Sequence, residues 1–305
     1  MLLQGTTGMG KSYLINCIRT SLQNTSPHGL TPILVLAPTG IAAFNIHATT
    51  IHATLKIPVR EMKQLQGQTL TTYQEKMKNI KYILIDEMGF IGPKLLLKID
   101  TRLREAIPHR QHIPFGGLSI ILIGDFAQLP PVMDKPIYVG QSVTQNLWHK
   151  FNIIVTLQTI FRQEGCDPTQ IKFRHALQNM RNAEPTEDDW KLLMTRTNTH
   201  LPPTEQEKFN QAIHLFATNE LVSYIKKQTQ TTKAPIALYI VENTQHKYVE
   251  TYTDDRILQE VLLSKFQHVM LTTNLWIQVG LVNGSLGEVK DIVYAPSSKP
   301  LELPT

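Results

Sequence analysis

Cysteine is scarce in this chain: Cys17 and Cys166 are the only two among 305 residues. Neither has a metal-ligand neighbour, so the pattern offers no disulfide framework and no thiolate metal site, and both thiols are expected to stay reduced. No apolar run approaches the length needed to cross a bilayer. No secretory or transit peptide is visible, and no internal repeat or low-complexity block interrupts the chain. These absences lead to the expectation of an intracellular protein without a membrane partner, with nucleus and mitochondrion indistinguishable. Acidic residues are in deficit, 25 Asp and Glu against 30 Lys and Arg, for a formal net charge of +5. That mildly basic balance permits a nucleic-acid partner without requiring one. The length accommodates about two domains with real cores.

What is present begins at once. Gly5-Thr6-Thr7-Gly8-Met9-Gly10-Lys11-Ser12 has the form G-x-x-x-x-G-K-[ST], a phosphate-binding P-loop. Its glycines let the backbone fold tightly, so that successive N–H groups point at phosphate oxygens. Lys11 would set a cation on the β- and γ-phosphates of ATP, and the Ser12 hydroxyl would ligate Mg²⁺. A helix should start here and add its dipole to the anion site. Leu14, Ile15, Ile18 and Leu22 fall on one face of that helix, and Leu2-Leu3 reads as the end of a strand leading in. Only Met1 to Gln4 precede the first glycine, and the chain stops in a proline-rich stretch, Pro296 to Pro304, so a fragment is expected.

Short apolar runs then alternate with helical patterns. Ile33 to Ala37, Tyr82 to Ile85, Ile120 to Ile123 and Ile153 to Val155 read as buried parallel strands, continuous and β-branched. Pro93 suits a helix start, followed by Leu95, Leu96, Ile99 and Leu103 at helical spacing. Val59 to Asn79 is polar and reads as a loop plus a surface helix. The alternation predicts an α/β doubly wound domain over residues 1–157. Beyond it the texture changes. A helix is expected over Thr169 to Ala183 with Ile171, Leu177 and Met180 inward, and a capped helix start at Thr186-Glu187-Asp188-Asp189. Ile213 to Phe216, Val269 to Thr272 and Gly287 to Tyr294 read as strands, and Leu221 to Lys227 as a helix.

A second nucleotide signature follows the first. Strand Tyr82–Ile85 runs into Asp86-Glu87, a carboxylate pair at the end of a buried strand. Asp86 would hold Mg²⁺ and Glu87 would orient and deprotonate the attacking water. Gly124-Asp125-Phe126-Ala127-Gln128-Leu129-Pro130-Pro131 follows the next strand. Gln128 would sit near the γ-phosphate and report its presence, with the paired prolines stiffening the exit.

With these residues in place, the chain resembles superfamily 1B DNA helicases of the Pif type. The resemblance runs in order through Gly5–Ser12, Ala37 to Ile46 with Thr50-Ile51-His52, Asp86-Glu87-Met88, Gly124–Pro131, Leu157 to Gln163, Leu215 to Asn219 and Leu281 to Gly287. It implies a P-loop (RecA-like) parallel-sheet domain, 1–157, followed by a second RecA-like domain, 158–305. It implies ATP hydrolysis coupled to 5′-to-3′ movement along single-stranded DNA, with forked or tailed duplexes as partners and a monomer as the working unit. Arg162 would be an arginine finger on the γ-phosphate. Thr39, Asn45 and His52 would lie along the DNA track, His52 alternatively being a satisfied buried histidine. Phe44 would stack on a base or fill core.

The resemblance also shows what is lacking. A His-Lys-Ser-Gln-Gly stretch and a later Val-Ala-Leu-Ser-Arg stretch are absent, so the second domain is expected to be incomplete and the motor impaired. Leu263 to His268 departs from the glycine-containing stretch expected there. A RecD-like or mobile-element helicase, a protein-remodelling ATPase, and a remnant that binds nucleotide or DNA without turnover are the other readings. DNA stimulation of ATP hydrolysis separates them.

Overall fold

The computed structural model describes residues 1–27, 30–58, 61–139, 146–162, 167–209, 212–218, 220–222, 236–240, 260–291 and 293. By contact the chain divides into two units. The first is Met1–Gln206 with Ile277–Gly280, and the second takes the rest from Glu207 onward. Contact keeps the residues after 157 with the first unit as far as Gln206, because the helix Pro168–Arg181 is tied back to it by an Arg181–Asp125 ion pair.

The first unit is built on a six-stranded, all-parallel sheet. Its strands are β1 (Leu2–Gln4), β2 (Ile33–Ala37), β3 (Thr49–Thr50), β4 (Tyr82–Ile85), β5 (Ser119–Gly124) and β6 (Ile154–Thr156), in the order β3-β2-β4-β5-β1-β6. Successive side chains point to opposite faces, so each continuous apolar run feeds two cores. Leu36, Ile83, Ile85, Ile120 and Leu122 face one core, which is closed by α4 (Gly67–Met77) through Tyr73 and Met77 and by α5 (Pro93–Ala106) through Leu96, Ile99 and Leu103. Ile33, Val35, Ala37, Leu84 and Ile123 face the other, closed by α1 (Lys11–Asn24) through Ile15 and by α2 (Gly40–Asn45) through Ala43. Leu14, Ile18 and Leu22 pack against this second core, as the spacing along α1 predicts. Two side-chain caps add to the frame. Thr50 caps α3 (Ile51–Thr54) by accepting from the Ala53 N–H. Asp134 reaches back 40 residues to accept from the Lys94 N–H at the start of α5, where the N-cap Gly92 supplies no side chain.

Several expectations change. The segment Ile153 to Val155 does contain a strand, but Ile153 and Ile154 are 57% and 63% exposed. Among the described residues β6 is an edge strand that pairs only with β1, and a run of apolar residues does not say which strand lies at the edge. On the helix Pro168–Arg181, Ile171, Leu177 and Met180 are exposed and only Ala176 is buried. α4 is less of a surface helix than its polar sequence suggests, since Tyr73 and Met77 are sealed beneath it. The helix Glu187–Met194 starts with a complete capping box between Thr186 and Asp189, as its sequence predicts.

In the second unit, Ile213 to Phe216 is irregular rather than a strand. A helical turn covers Glu220 to Val222, and the rest of the expected Leu221–Lys227 helix lies outside the described residues. β7 (Ile236–Ile240) pairs antiparallel with β8 (Glu260–Ser264), and β9 (His268–Met270) pairs antiparallel with β10 (Leu286–Glu288). The expected strands Val269–Thr272 and Gly287–Tyr294 are therefore shorter and shifted by one residue, and Tyr294 lies outside the described residues. Gln163 and Cys166 lie outside them as well.

Candidate nucleotide site

Parallel strands deliver their following loops to one edge of the sheet, and ligands gather at that edge. Here the loops after β1, β2, β4 and β5 carry the P-loop, Thr39, Asp86-Glu87 and Gly124–Pro131. Because β5 lies between β4 and β1, the turn with Gln128 falls between the carboxylate pair and the P-loop. The resulting cleft, about 1270 Å³, is lined by Lys11, Ser12, Asp86, Glu87, Gln128 and Arg162 among others.

The P-loop turns on Gly8 and Gly10, both left-handed at φ 87° and 79°, and α1 begins directly after Gly10. The Lys11 ammonium donates to the carbonyls of Gly5 (2.9 Å) and Thr6 (3.0 Å), which hold it over the mouth of the loop. The far side of the loop is occupied by Phe161 and Arg162. The Phe161 and Arg162 N–H groups both donate to the Gly8 carbonyl, and a Cβ on Gly8 would lie 2.6 Å from the Arg162 Cβ. The sequence thus needs glycine at position 8 twice over, for its φ and for the approach of Arg162.

Asp86 is buried, and its Oδ1 has no hydrogen-bond partner among the described residues. Burial pushes its carboxyl above the usual range, opposed by a backbone hydrogen bond and by the charge of Lys11. Glu87 is also pushed up, first by burial and then by the charge of Asp86, with Lys11 pulling the other way and Asp125 adding to the rise. Its backbone is left-handed, φ 54° and ψ 51°, an uncommon setting for a non-glycine residue and one associated with functional positions. An unpartnered buried carboxylate oxygen, a Ser12 hydroxyl lining the same cleft and a carboxylate of raised proton affinity suit a hydrated divalent cation and an activated water. Among the described residues no cluster of three or more His, Cys, Asp or Glu could hold a metal ion.

Gln128 donates from Nε2 to the Thr7 hydroxyl, 2.9 Å away. Its turn is shaped by Asp125, whose Oδ1 accepts from the Ala127 N–H and whose carbonyl accepts from the Gln128 N–H. Sequence reasoning named Gln128 and gave no task to Asp125 or Arg181. Their bidentate pair (Nη2 to Oδ1 2.7 Å, Nε to Oδ2 3.2 Å) joins residues 56 apart, which no local pattern announces. Burial alone would raise the Asp125 carboxyl, but hydrogen bonds from Arg181 and Ala127 and the charges of Arg181 and Lys11 hold it below the usual range.

The residues expected along a DNA track divide. Asn45 lines the nucleotide cleft itself. Thr39 is the N-cap of α2, its hydroxyl oxygen accepting from the Ala42 N–H. Phe44 is exposed, so the core alternative does not hold for it. His52 is half-buried on α3, and its imidazole is held below its ordinary pKa by desolvation and by the charge of Lys98.

The sequence model of PIF1-like helicases matches residues 1–189. The chain belongs to that family. The ATP-dependent DNA helicase PIF1 of Saccharomyces cerevisiae (strain YJM789) is 30% identical over 301 residues, spanning 93% of this chain and 33% of its own length. The PIF1 helicase of Xenopus laevis is 27% identical, over 93% of this chain and 43% of its own. The chain therefore spans about a third to two fifths of these curated relatives. A crystal structure of Pif1 helicase from Candida albicans aligns with a TM-score of 0.66 at 25% identity, covering 97% of this chain and 66% of that one. A Bacteroides Pif1 in complex with ADP-AlF3 and single-stranded DNA aligns at 0.63 and 24% identity, covering 96% and 66%, and supports the fold.

Proposed function

We propose that this PIF1-like chain carries the ATP-hydrolysing machinery of a 5′-to-3′ DNA helicase, in which ATP turnover drives movement along single-stranded DNA and separation of forked or tailed duplexes. The observation that carries the proposal is the convergence of Lys11, Asp86, Glu87, Gln128 and Arg162 on one cleft. Residues 5–12 wrap the phosphates, with Lys11 exchanging its carbonyl partners for β- and γ-phosphate oxygens. Ser12 and Asp86 would hold Mg²⁺, which would supply positive charge to offset that of the phosphates. Glu87, its proton affinity raised, takes a proton from the attacking water. Gln128 senses the γ-phosphate from its position on Thr7, and Arg162 brings a cation to the charge that develops there. Thr39, Phe44 and His52 are proposed to face the DNA strand. For Phe44 the support is its exposure, and for His52 it is an imidazole kept neutral and able to accept a hydrogen bond. Contacts to DNA phosphates would weaken as salt rises.

ATP hydrolysis with Mg²⁺, with and without single-stranded DNA, tests this in the 305-residue chain. The expected result is hydrolysis that rises with DNA and falls by roughly 10²-fold or more in Lys11→Ala, the scale of losing one preorganised charge. Hydrolysis indifferent to DNA would favour a protein-remodelling ATPase, and nucleotide binding without turnover would favour a remnant.

A further inference from the structure

We propose that Arg181 is a positioning residue for Gln128, holding the turn that presents the glutamine amide to the phosphate-binding loop. The inference rests on the cleft being a nucleotide site. Its physical basis is a short run of contacts within the first unit. Arg181, the last residue of the helix Pro168–Arg181, grips both carboxylate oxygens of Asp125 with two guanidinium nitrogens. Asp125 is 3% exposed, and the same Oδ1 that takes Arg181 Nη2 also takes the Ala127 N–H. The Asp125 carbonyl accepts from the Gln128 N–H, and the Gln128 amide reaches Thr7 in the P-loop. The guanidinium thus grips a residue three positions before Gln128.

The turn has little freedom to compensate if that grip is lost. A Cβ on Gly124 would meet the Met88 N–H nitrogen at 2.7 Å, and one on Gly89 would meet the Asp125 carbonyl oxygen at 2.9 Å. The backbone of the turn and the backbone just after Glu87 are therefore in close contact, so a shift in one displaces the other. Downstream, Asp134 is pinned to the start of α5. A plain tertiary staple would not need a charge pair here, since buried ion pairs add little net stability compared with apolar packing of the same volume. A planar, bidentate fork instead fixes direction. Arg181, Arg162 and Gln128 also line one further cavity of about 240 Å³ beside Thr6 and Thr7, so the fork lies at the rim of the phosphate site and not at a distance from it.

The test compares two probes on the whole chain, Mg-ADP and Mg-ADP with aluminium fluoride, the second filling the γ-phosphate position that Gln128 addresses. Thermal unfolding serves as a folding control. Arg181→Ala is expected to leave ADP affinity within about twofold and to weaken the aluminium fluoride complex about tenfold, the scale of residues that act as one unit. Gln128→Ala should lose a similar factor, and the double variant no more than either alone. Arg181→Lys, which keeps the charge without the fork, should fall between wild type and Arg181→Ala. Equal losses for both probes, or additive losses in the double variant, would overturn the inference. If Arg181→Ala does not fold, the near-isosteric Asp125→Asn must show the same selective loss; if it too fails to fold, the pair is structural and the inference falls. A wild-type chain that binds neither probe would instead overturn the nucleotide-site reading itself.

Discussion

Strands meet opposite surroundings in the two units. In the first, Ile83, Leu84 and Ile85 of β4 are fully buried, with strands on either side and helices over both faces. In the second, the described antiparallel ribbon β9–β10 leaves Met270 and Leu286 exposed. A two-stranded ribbon closes no core of its own, whereas a six-stranded sheet covered on both sides does. Most groups assigned a part in ATP chemistry are anchored to the first kind of structure, while Arg162 follows the edge strand β6. The phosphate loop hangs from β1, the carboxylates from β4, and the sensing turn from β5.

The largest way to break the comparison is to open the core of the first unit. Leu84→Ala should cost about 2–5 kcal/mol of stability, whereas Leu286→Ala should stay within about 0.5 kcal/mol. Thermal or denaturant unfolding of both variants reads the contrast, and similar losses would remove it. Next comes Gly8→Ala, which forces an alanine into left-handed backbone at about 1–2 kcal/mol and sets its Cβ against Arg162. Nucleotide binding should be lost while far-ultraviolet dichroism shows the helices intact. Binding equal to wild type would show that the loop and Arg162 tolerate separation.

A third prediction concerns pH and sharpens the comparison from the electrostatic side. Asp86 and Glu87 have folded pKa values above their ordinary 3.8 and 4.5. They therefore bind protons more tightly in the folded state. Their contribution to stability is complete below those ordinary values and disappears as pH rises through the raised folded ones. Asp125 works the other way, stabilising the fold above 3.8 and losing that effect as pH falls through its depressed value. Asp86→Asn should consequently raise the thermal midpoint of the ligand-free chain at pH 7, with the gain fading as pH drops into the ordinary carboxylate range. The same substitution should abolish Mg²⁺-dependent nucleotide binding. A midpoint lowered at pH 7 would show that the carboxylate is stabilising where it stands, contrary to the effect of its burial.

Much of this was legible in the residues alone. Gly5–Ser12, Asp86-Glu87 and Gln128 are set by local chemistry, and each lies at the end of the strand its pattern predicted. What could not be read has a common physical cause: it depends on groups remote in sequence. Ile153 to Val155 looks like any buried strand until the neighbour it lacks is known. Glu87 gives no sign of its left-handed backbone, which follows from how β4 meets the turn after β5. Asp125 and Arg181 are unremarkable separately, and only folding places them 2.7 Å apart. Ile171, Leu177 and Met180 keep helical spacing, yet spacing names a face without saying what covers it.

The central claim is that the loops of the first unit carry a nucleotide site. The most direct measurement is equilibrium binding of a fluorescent ADP to the whole chain, in Mg²⁺ and in excess chelator, for wild type, Lys11→Ala and Leu286→Ala. The account predicts binding that requires Mg²⁺, is lost in Lys11→Ala and is unchanged in Leu286→Ala. Binding that survives Lys11→Ala, or that falls as far in Leu286→Ala, would contradict it.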